Sequence, residues 1–158
     1  MREPENLDFA LSPLPIPARF HHVRYNGAHY PGAEGVEGLD GGANCQQFAY
    51  ELIRHFGFAP PDFRSSELWE DETHTQAVVG ELAPCDLLLF NRTSAAWGAH
   101  VAVHLGSNLA MHLSQRAGVP VIWKIEDFSL GPEYACFLGA KRARRRETAV
   151  ESRQVFVG

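Results

Sequence analysis

Asp40-Gly41-Gly42-Ala43-Asn44-Cys45-Gln46-Gln47-Phe48 is the stretch from which the rest of the chain is read. Two glycines loosen a loop, a polar residue follows, then a cysteine, then an amphipathic run. Apolar residues recur at Phe48, Leu52, Ile53 and Phe56, the spacing of a helix with one core-facing side. Asn44 is a favoured N-cap, and Gln47 three residues later has the form of a capping box. Gly57 supplies the stop, with Pro60 and Pro61 just beyond it.

This grammar sets Cys45 in the first helical turn, where backbone N–H groups lack helical partners and the helix dipole is positive. A thiolate there is stabilised, so the thiol is expected to titrate below its free value of about 8.5. The same N–H groups can hold a developing oxyanion. A lone cysteine is most often a small buried hydrophobe. Its position at a helix start after a Gly-Gly loop makes Cys45 a nucleophile candidate instead.

Around this stretch lie 158 residues, enough for one domain with a proper core. The formal net charge of -5 gives no reason to expect a nucleic-acid partner. Three cysteines at unpatterned spacing make neither a disulfide framework nor a zinc ribbon. The first residues, Met1-Arg2-Glu3-Pro4-Glu5-Asn6, lack a basic-then-apolar signal segment, and no apolar run approaches the ~18 residues of a membrane span. The chain as written reads as cytoplasmic, without a membrane span and without a cofactor motif. Its oligomeric state is not legible.

Upstream, residues 1–19 are punctuated by Pro13, Pro15 and Pro17 and read as an extended arm, with a short strand expected at Arg19–Arg24. Downstream, Arg64-Ser65-Ser66-Glu67-Leu68-Trp69 reads as a short helix capped by Ser65 or Ser66. Residues 71–83 fit neither period. Strands are expected at Asp86–Phe90, Ala99–Leu105, Leu109–Leu113, Val119–Trp123 and Glu133–Ala140. A helical front followed by a run of antiparallel strands is an α+β pattern. Lys141-Arg142-Ala143-Arg144-Arg145-Arg146 opens a basic C-terminal segment, 143–158, read as a solvated, flexible tail.

The second chemical element is His100. Strand alternation sends His100, Ala102 and His104 to one face, and His112 follows on the next strand. A hairpin centred on Gly106 with a three- or five-residue loop would set His100 and His112 directly opposite each other. A one-residue slip would put them on opposite faces. A second imidazole can fix the tautomer and ring angle of the first, the task an Asp or Asn performs in other triads. A zinc site from His100, His104 and His112 is the competing reading. It lacks a carboxylate in these strands and leaves Cys45 without a role, so no metal is assigned.

With these residues in view, the chain resembles the NlpC-type cysteine peptidases, papain-like bacterial cell-wall hydrolases. Their hallmark Asp-Cys-Ser-Gly at a helix start corresponds to Asn44-Cys45-Gln46-Gln47. Their Pro-Gly-Asp-Leu strand start corresponds to Pro84-Cys85-Asp86-Leu87. Their His-Val-Gly-Ile-Tyr-Leu-Gly corresponds to His100-Val101-Ala102-Val103-His104-Leu105-Gly106, followed by Met111-His112. Pro61 to Ser66 echoes the family's Leu-Pro-Arg-Thr-Ser link, and Leu138 to Arg142 its closing Ala-Arg-Arg strand. The likeness covers roughly residues 20–142, the extent expected of the catalytic domain.

The resemblance implies a papain-like fold, with the nucleophile helix packed on an antiparallel sheet. It implies Cys45 as nucleophile, His100 as general base and His112 as the orienting third member. It also implies hydrolysis of an amide in a small peptide, of the γ-D-glutamyl-diamino acid type found in bacterial walls. The family's cleft tyrosine has two candidates here, Tyr25 and Tyr30. Asn44 and Arg64 are expected at the substrate, Arg64 through a carboxylate, and Trp97 and Trp123 are candidate cleft walls. An acyl or amide transferase, and a catalytically silent peptide-binding domain on the same scaffold, are the alternative readings.

Overall fold

The computed structural model describes residues 2–147. Two α-helices precede six strands: α1 (Cys45–His55), α2 (Ser65–Glu70), β1 (Thr75–Ala77), β2 (Leu87–Asn91), β3 (His100–Gly106), β4 (Leu109–His112), β5 (Val121–Lys124) and β6 (Cys136–Ala143). The strands form one antiparallel sheet in the order β1-β6-β2-β3-β4-β5, so the fold is α+β. Strands β2 to β5 form a meander, and β6 returns to pair between β1 and β2.

Both faces of the sheet are covered, which explains why β2 reads as an unbroken apolar run instead of alternating. Leu87 and Leu89 join Val101, Val103 and Leu105 in the core that holds Phe48, Leu52 and Ile53 of α1. Leu88 and Phe90 join Ala102, Ala110, Trp123, Phe128 and Tyr134 in a second core on the other side. That second core is closed by two 3-10 segments, Ile125–Leu130 and Pro132–Tyr134.

α1 begins and ends as its sequence dictates. The Asn44 side chain accepts from the Gln47 N–H at 2.8 Å. The reciprocal half of the capping box is missing: Gln47 Nε2 donates to Gly38 O at 2.9 Å, and the Asn44 N–H goes to His29 O. At the other end Gly57 is left-handed (φ 97°), with the Phe58 N–H bonded to Ile53 O, the Schellman arrangement. α2 is capped by neither of the expected serines. Arg64 is its N-cap, its N–H donating to Glu67 Oε1 at 2.9 Å, and Ser65 turns inward to donate to Ala99 O.

Three other expectations change. The β3–β4 turn is Ser107-Asn108, both left-handed, a two-residue hairpin instead of a longer loop centred on Gly106. Gly106 pairs with Leu109 across a bulge. Arg19–Arg24 is not a strand: Ala18–Phe20 is a 3-10 turn, and only Tyr25 pairs, in a parallel bridge to Ala43. The N-terminal segment is not a free arm, since Leu7 bridges Ile122 and Leu7, Phe9, Leu14 and Ile16 pack on the core.

The basic run is built into the fold up to Arg146. Lys141 is buried and donates to Trp69 O and Asp71 O, and Arg142 forms a two-bonded pair with Asp86 at 2.8 and 2.9 Å. Ala59 donates to Arg144 O, and the Arg146 N–H to Gly57 O. Lys141 and Arg142 thus tie β6 to the end of α2 and the entry to β2, and the backbone beyond them bonds to the segment after α1. The remainder of the expected tail, 148–158, lies outside the described residues.

Candidate active site

Cys45 is held by two approaches of the backbone. The Gly41-Gly42 loop folds against the segment ending in Tyr25: Ala43 donates to Arg24 O, Asn26 donates to Ala43 O, and Asn26 Nδ2 donates to Gly41 O. Gly42 has φ 97°, and a Cβ on it would stand 2.5 Å from Arg24 O. Only glycine fits there. This contact brings Tyr25 alongside Cys45, and together they line a cleft of about 470 Å³ with Gly98, His100, Ser114, Arg116, Glu133 and Tyr134.

His100 opens β3, and the N–H of its neighbour Val101 faces the Cys45 sulphur. The N–H groups of Gln46 and of Cys45 itself face it too. Those of Gln47 and Phe48 are already bonded to Asn44. The orphan donors of the helix start therefore converge on the thiol, as the sequence implied.

Their effect on the thiol is not the expected one. Burial is the largest influence and pushes the Cys45 thiol above its ordinary value; the three N–H groups and the charge of Arg64 pull the other way without prevailing. The helix-start argument treated Cys45 as exposed, whereas it is half-buried against β3. Cys85, at a left-handed position before β2 (φ 74°), is pushed up to about 11, again by burial first.

His100 Nε2 lies 2.8 Å from His112 Nδ1, with the rings at 84° to one another. The two residues are not directly opposite. Val103 pairs with Met111 and His104 with Ala110, so the same register carried on sets His112 beside Ala102 and makes His100 its diagonal neighbour. Diagonal partners share a face, and long rings close that distance. Burial depresses both imidazoles, His100 to about 3 and His112 well below its ordinary value. His112 is fully buried, boxed by Trp123 (4.3 Å between centroids), Phe128 (4.7 Å) and Tyr134 (5.8 Å). Its Nε2 finds no hydrogen-bond partner among the described residues.

The remaining candidates separate. Tyr25 lines the cleft, and burial followed by the nearby Cys45 charge raises its hydroxyl. Tyr30 does not line it; its ring carries the Arg64 guanidinium at 4.4 Å. Arg64 instead borders a neighbouring groove with Gln46, Glu67 and Trp97, which meets the cleft at Gly98. Trp97 is 82% exposed there, while Trp123 is buried behind His112. Asn44, expected at the substrate, is engaged in the cap and is absent from the cleft lining. His104 turns away, its Nδ1 at 2.9 Å from Ala83 O, and no group of three metal-ligating side chains occurs among the described residues.

Sequence reasoning missed Ser114, Gln115, Arg116, Glu133 and Tyr134 as lining residues. They come from the β4–β5 connection and the turn before β6, segments with no motif of their own. Ser114 alone among them carries a sequence signal, two positions after His112 and so on the same side of an extended chain.

Cys45 and His100 thus line one cleft, and His100 is bonded behind it to a second buried imidazole, His112. No helix among the described residues is long and apolar enough to cross a membrane. No family model matches the chain, and no curated protein matches it.

Proposed function

We propose that the protein is a cysteine hydrolase of the papain-like type, cutting an amide bond in a small peptide. The observation that carries this reading is the 2.8 Å contact between His100 Nε2 and His112 Nδ1 beside a cleft shared by His100 and Cys45. The motif order that resembles NlpC-type peptidases supports a γ-D-glutamyl amide of a wall peptide as the substrate.

The resting pair is uncharged, because burial holds Cys45 as the thiol and His100 as the neutral imidazole. His112 sets which nitrogen of His100 is free. Inside a box of aromatic faces with no acceptor among the described residues, a proton on His112 Nε2 costs less than a bare lone pair. His112 Nδ1 then accepts from His100 Nε2–H, and His100 Nδ1 keeps a lone pair for the thiol proton.

As the sulphur attacks the amide carbonyl, its proton passes to His100 and a C–S bond forms. The negative oxygen is met by the backbone N–H of Cys45. His100 returns the proton to the amide nitrogen as the C–N bond breaks, leaving a thioester and a free amine. Water, deprotonated by His100, hydrolyses the thioester and restores the thiol.

Incubation with tripeptide and tetrapeptide muropeptides and with casein-derived peptides, followed by mass spectrometry, tests the reading. Amide cleavage beside D-glutamate that vanishes in Cys45→Ala is the expected result. Cleavage of L-peptides alone removes the wall-peptide substrate and leaves the hydrolase; a product joined to an added amine converts it to a transferase.

A further inference from the structure

The cleft has two unlike ends. Past Gly98 it opens onto the groove of Trp97 and Arg64. Past Ser114 and Arg116, which line both spaces, it continues into a cavity of about 280 Å³ floored by Trp123, Gly131 and Pro132. That cavity is roofed by the chain's own Arg2, Glu3, Pro4 and Asn6. The roof is fastened: Trp123 Nε1 donates to Asn6 Oδ1 at 2.7 Å, Arg2 reaches Asp127 at 3.3 Å, and the Leu7 N–H bonds to Ile122 O.

Arg116 is the one cation shared by the cleft and the cavity, and it is clamped by two carboxylates of different standing. Glu133 meets it at 3.2 Å through Oε1 with a side chain 29% exposed, while its Oε2 has no hydrogen-bond partner among the described residues. Glu3 meets it at 3.0 Å with a side chain 76% exposed, a pair that solvent screens and that exchanges at little cost. Glu133 orients the guanidinium, while Glu3 covers the part of it turned toward the arm.

We infer that Arg116 is the anchor for a free carboxylate on the substrate, at the end of the cleft beneath the N-terminal segment, and that Glu3 stands in for that carboxylate when no ligand is present. The ligand class is a short amide carrying a carboxylate a few bonds from the amide that faces Cys45. A planar guanidinium with five donors keeps enough unpaired N–H groups beside Glu133 to take a carboxylate through two bonds. The roof limits how far a substrate extends past Arg116, so the far side of the amide is short and the side toward Trp97 is free to be long. This rests on the cleft reading above, with Arg116 replacing Arg64 as the carboxylate contact.

The test is equilibrium binding to the full chain of two achiral probes, N-acetylglycylglycine and its carboxamide. The wild-type chain is expected to bind the acid about tenfold more tightly than the amide. Arg116→Gln is expected to bring that ratio to about one, and Arg116→Lys to keep part of it. Glu3→Gln, at an exposed position, is expected to raise acid affinity a further two- to threefold or so by removing the competitor, with the amide unmoved. Equal affinity for acid and amide, failure of the acid to bind the wild-type chain, or a ratio that survives in Arg116→Gln overturns the inference. Because these titrations need no turnover, an active hydrolase without acid preference loses only the anchor, and an acid preference without turnover loses only the hydrolase.

Discussion

The two halves of the site are made in opposite ways. Cys45 is set by its immediate neighbours: the Gly41-Gly42 approach, the Asn44 cap and the apolar side of α1. The imidazole pair is set by partners distant in the chain, through the β3–β4 register and rings contributed by Trp123, Phe128 and Tyr134. Geometry is robust in the first half and electrostatics in the second. The helix start aims donors at the sulphur, yet burial decides the thiol's protonation. The aromatic box leaves no such contest: everything around His112 favours the neutral ring.

The contrast is broken most severely by removing its central member. His100→Ala is expected to lower turnover at least about 10³-fold, and Cys45→Ala to abolish it, both with unchanged circular dichroism. Retained turnover in His100→Ala would transfer the base to another residue. The box is tested next: His112→Leu should cost roughly 10²-fold and His112→Asn roughly tenfold, since an amide still accepts from His100. Equal losses would leave His112 a packing role only.

The local half is tested by Gly42→Ala, which combines a left-handed backbone with a 2.5 Å approach to Arg24 O. Denaturant melts should show a loss of about 2–3 kcal/mol. A loss within 0.5 kcal/mol or so would mean that the loop can back away from the Tyr25 segment.

A pH series separates the two halves by sign. His100 is depressed in the fold to about 3 from an ordinary 6.5, and His112 moves the same way. Between those values the unfolded chain binds protons that the folded chain does not, so stability falls as pH is lowered from about 6.5 toward 3. Melting temperatures at pH 7, 5.5 and 4.5 or so should decline, and His112→Leu should flatten the decline. The smallest effect is on alkylation. Iodoacetamide labelling of Cys45 should climb with pH through and beyond the ordinary thiol range, with no plateau at low pH. A plateau below about pH 7 would restore the thiolate that the helix start alone suggests.

Much of the fold was legible because it is local. The Asn44 cap, the Gly57 stop, the positions of β2, β3 and β4 and the apolar faces of α1 and β3 follow from neighbours a few residues apart. β1 falls in the 71–83 stretch that fits neither period, and the strand expected at Glu133–Ala140 is β6 at Cys136–Ala143, behind a 3-10 turn at Pro132–Tyr134. The shared face of His100 and His112 was expected, but their diagonal register was not: a bulge between His104 and Gly106 shifts the pairing by one, and the turn is made by Ser107 and Asn108, both left-handed. Neither is glycine, so the sequence suggested Gly106 as the pivot. The thiol's upward shift was hidden for a different reason: it depends on how closely β3 covers Cys45, a tertiary quantity with no signature around residue 45. The basic run was misread since each cation's partner, Asp86 or the carbonyls of Trp69 and Asp71, lies more than fifty positions earlier.

Strand order carries a consequence for biosynthesis. The chain leaves the ribosome from its N-terminus, so the β2–β5 meander is complete while β6 is still unmade. Until residues 136–143 emerge, β2 presents a bare row of amides and carbonyls, and β1 has no partner. Of the described strands, the last made is the one inserted between β1 and β2. A nascent chain paused before Cys136 would hold its imidazole strands in order with a sticky edge open to its neighbours, the point at which a chaperone has most to protect.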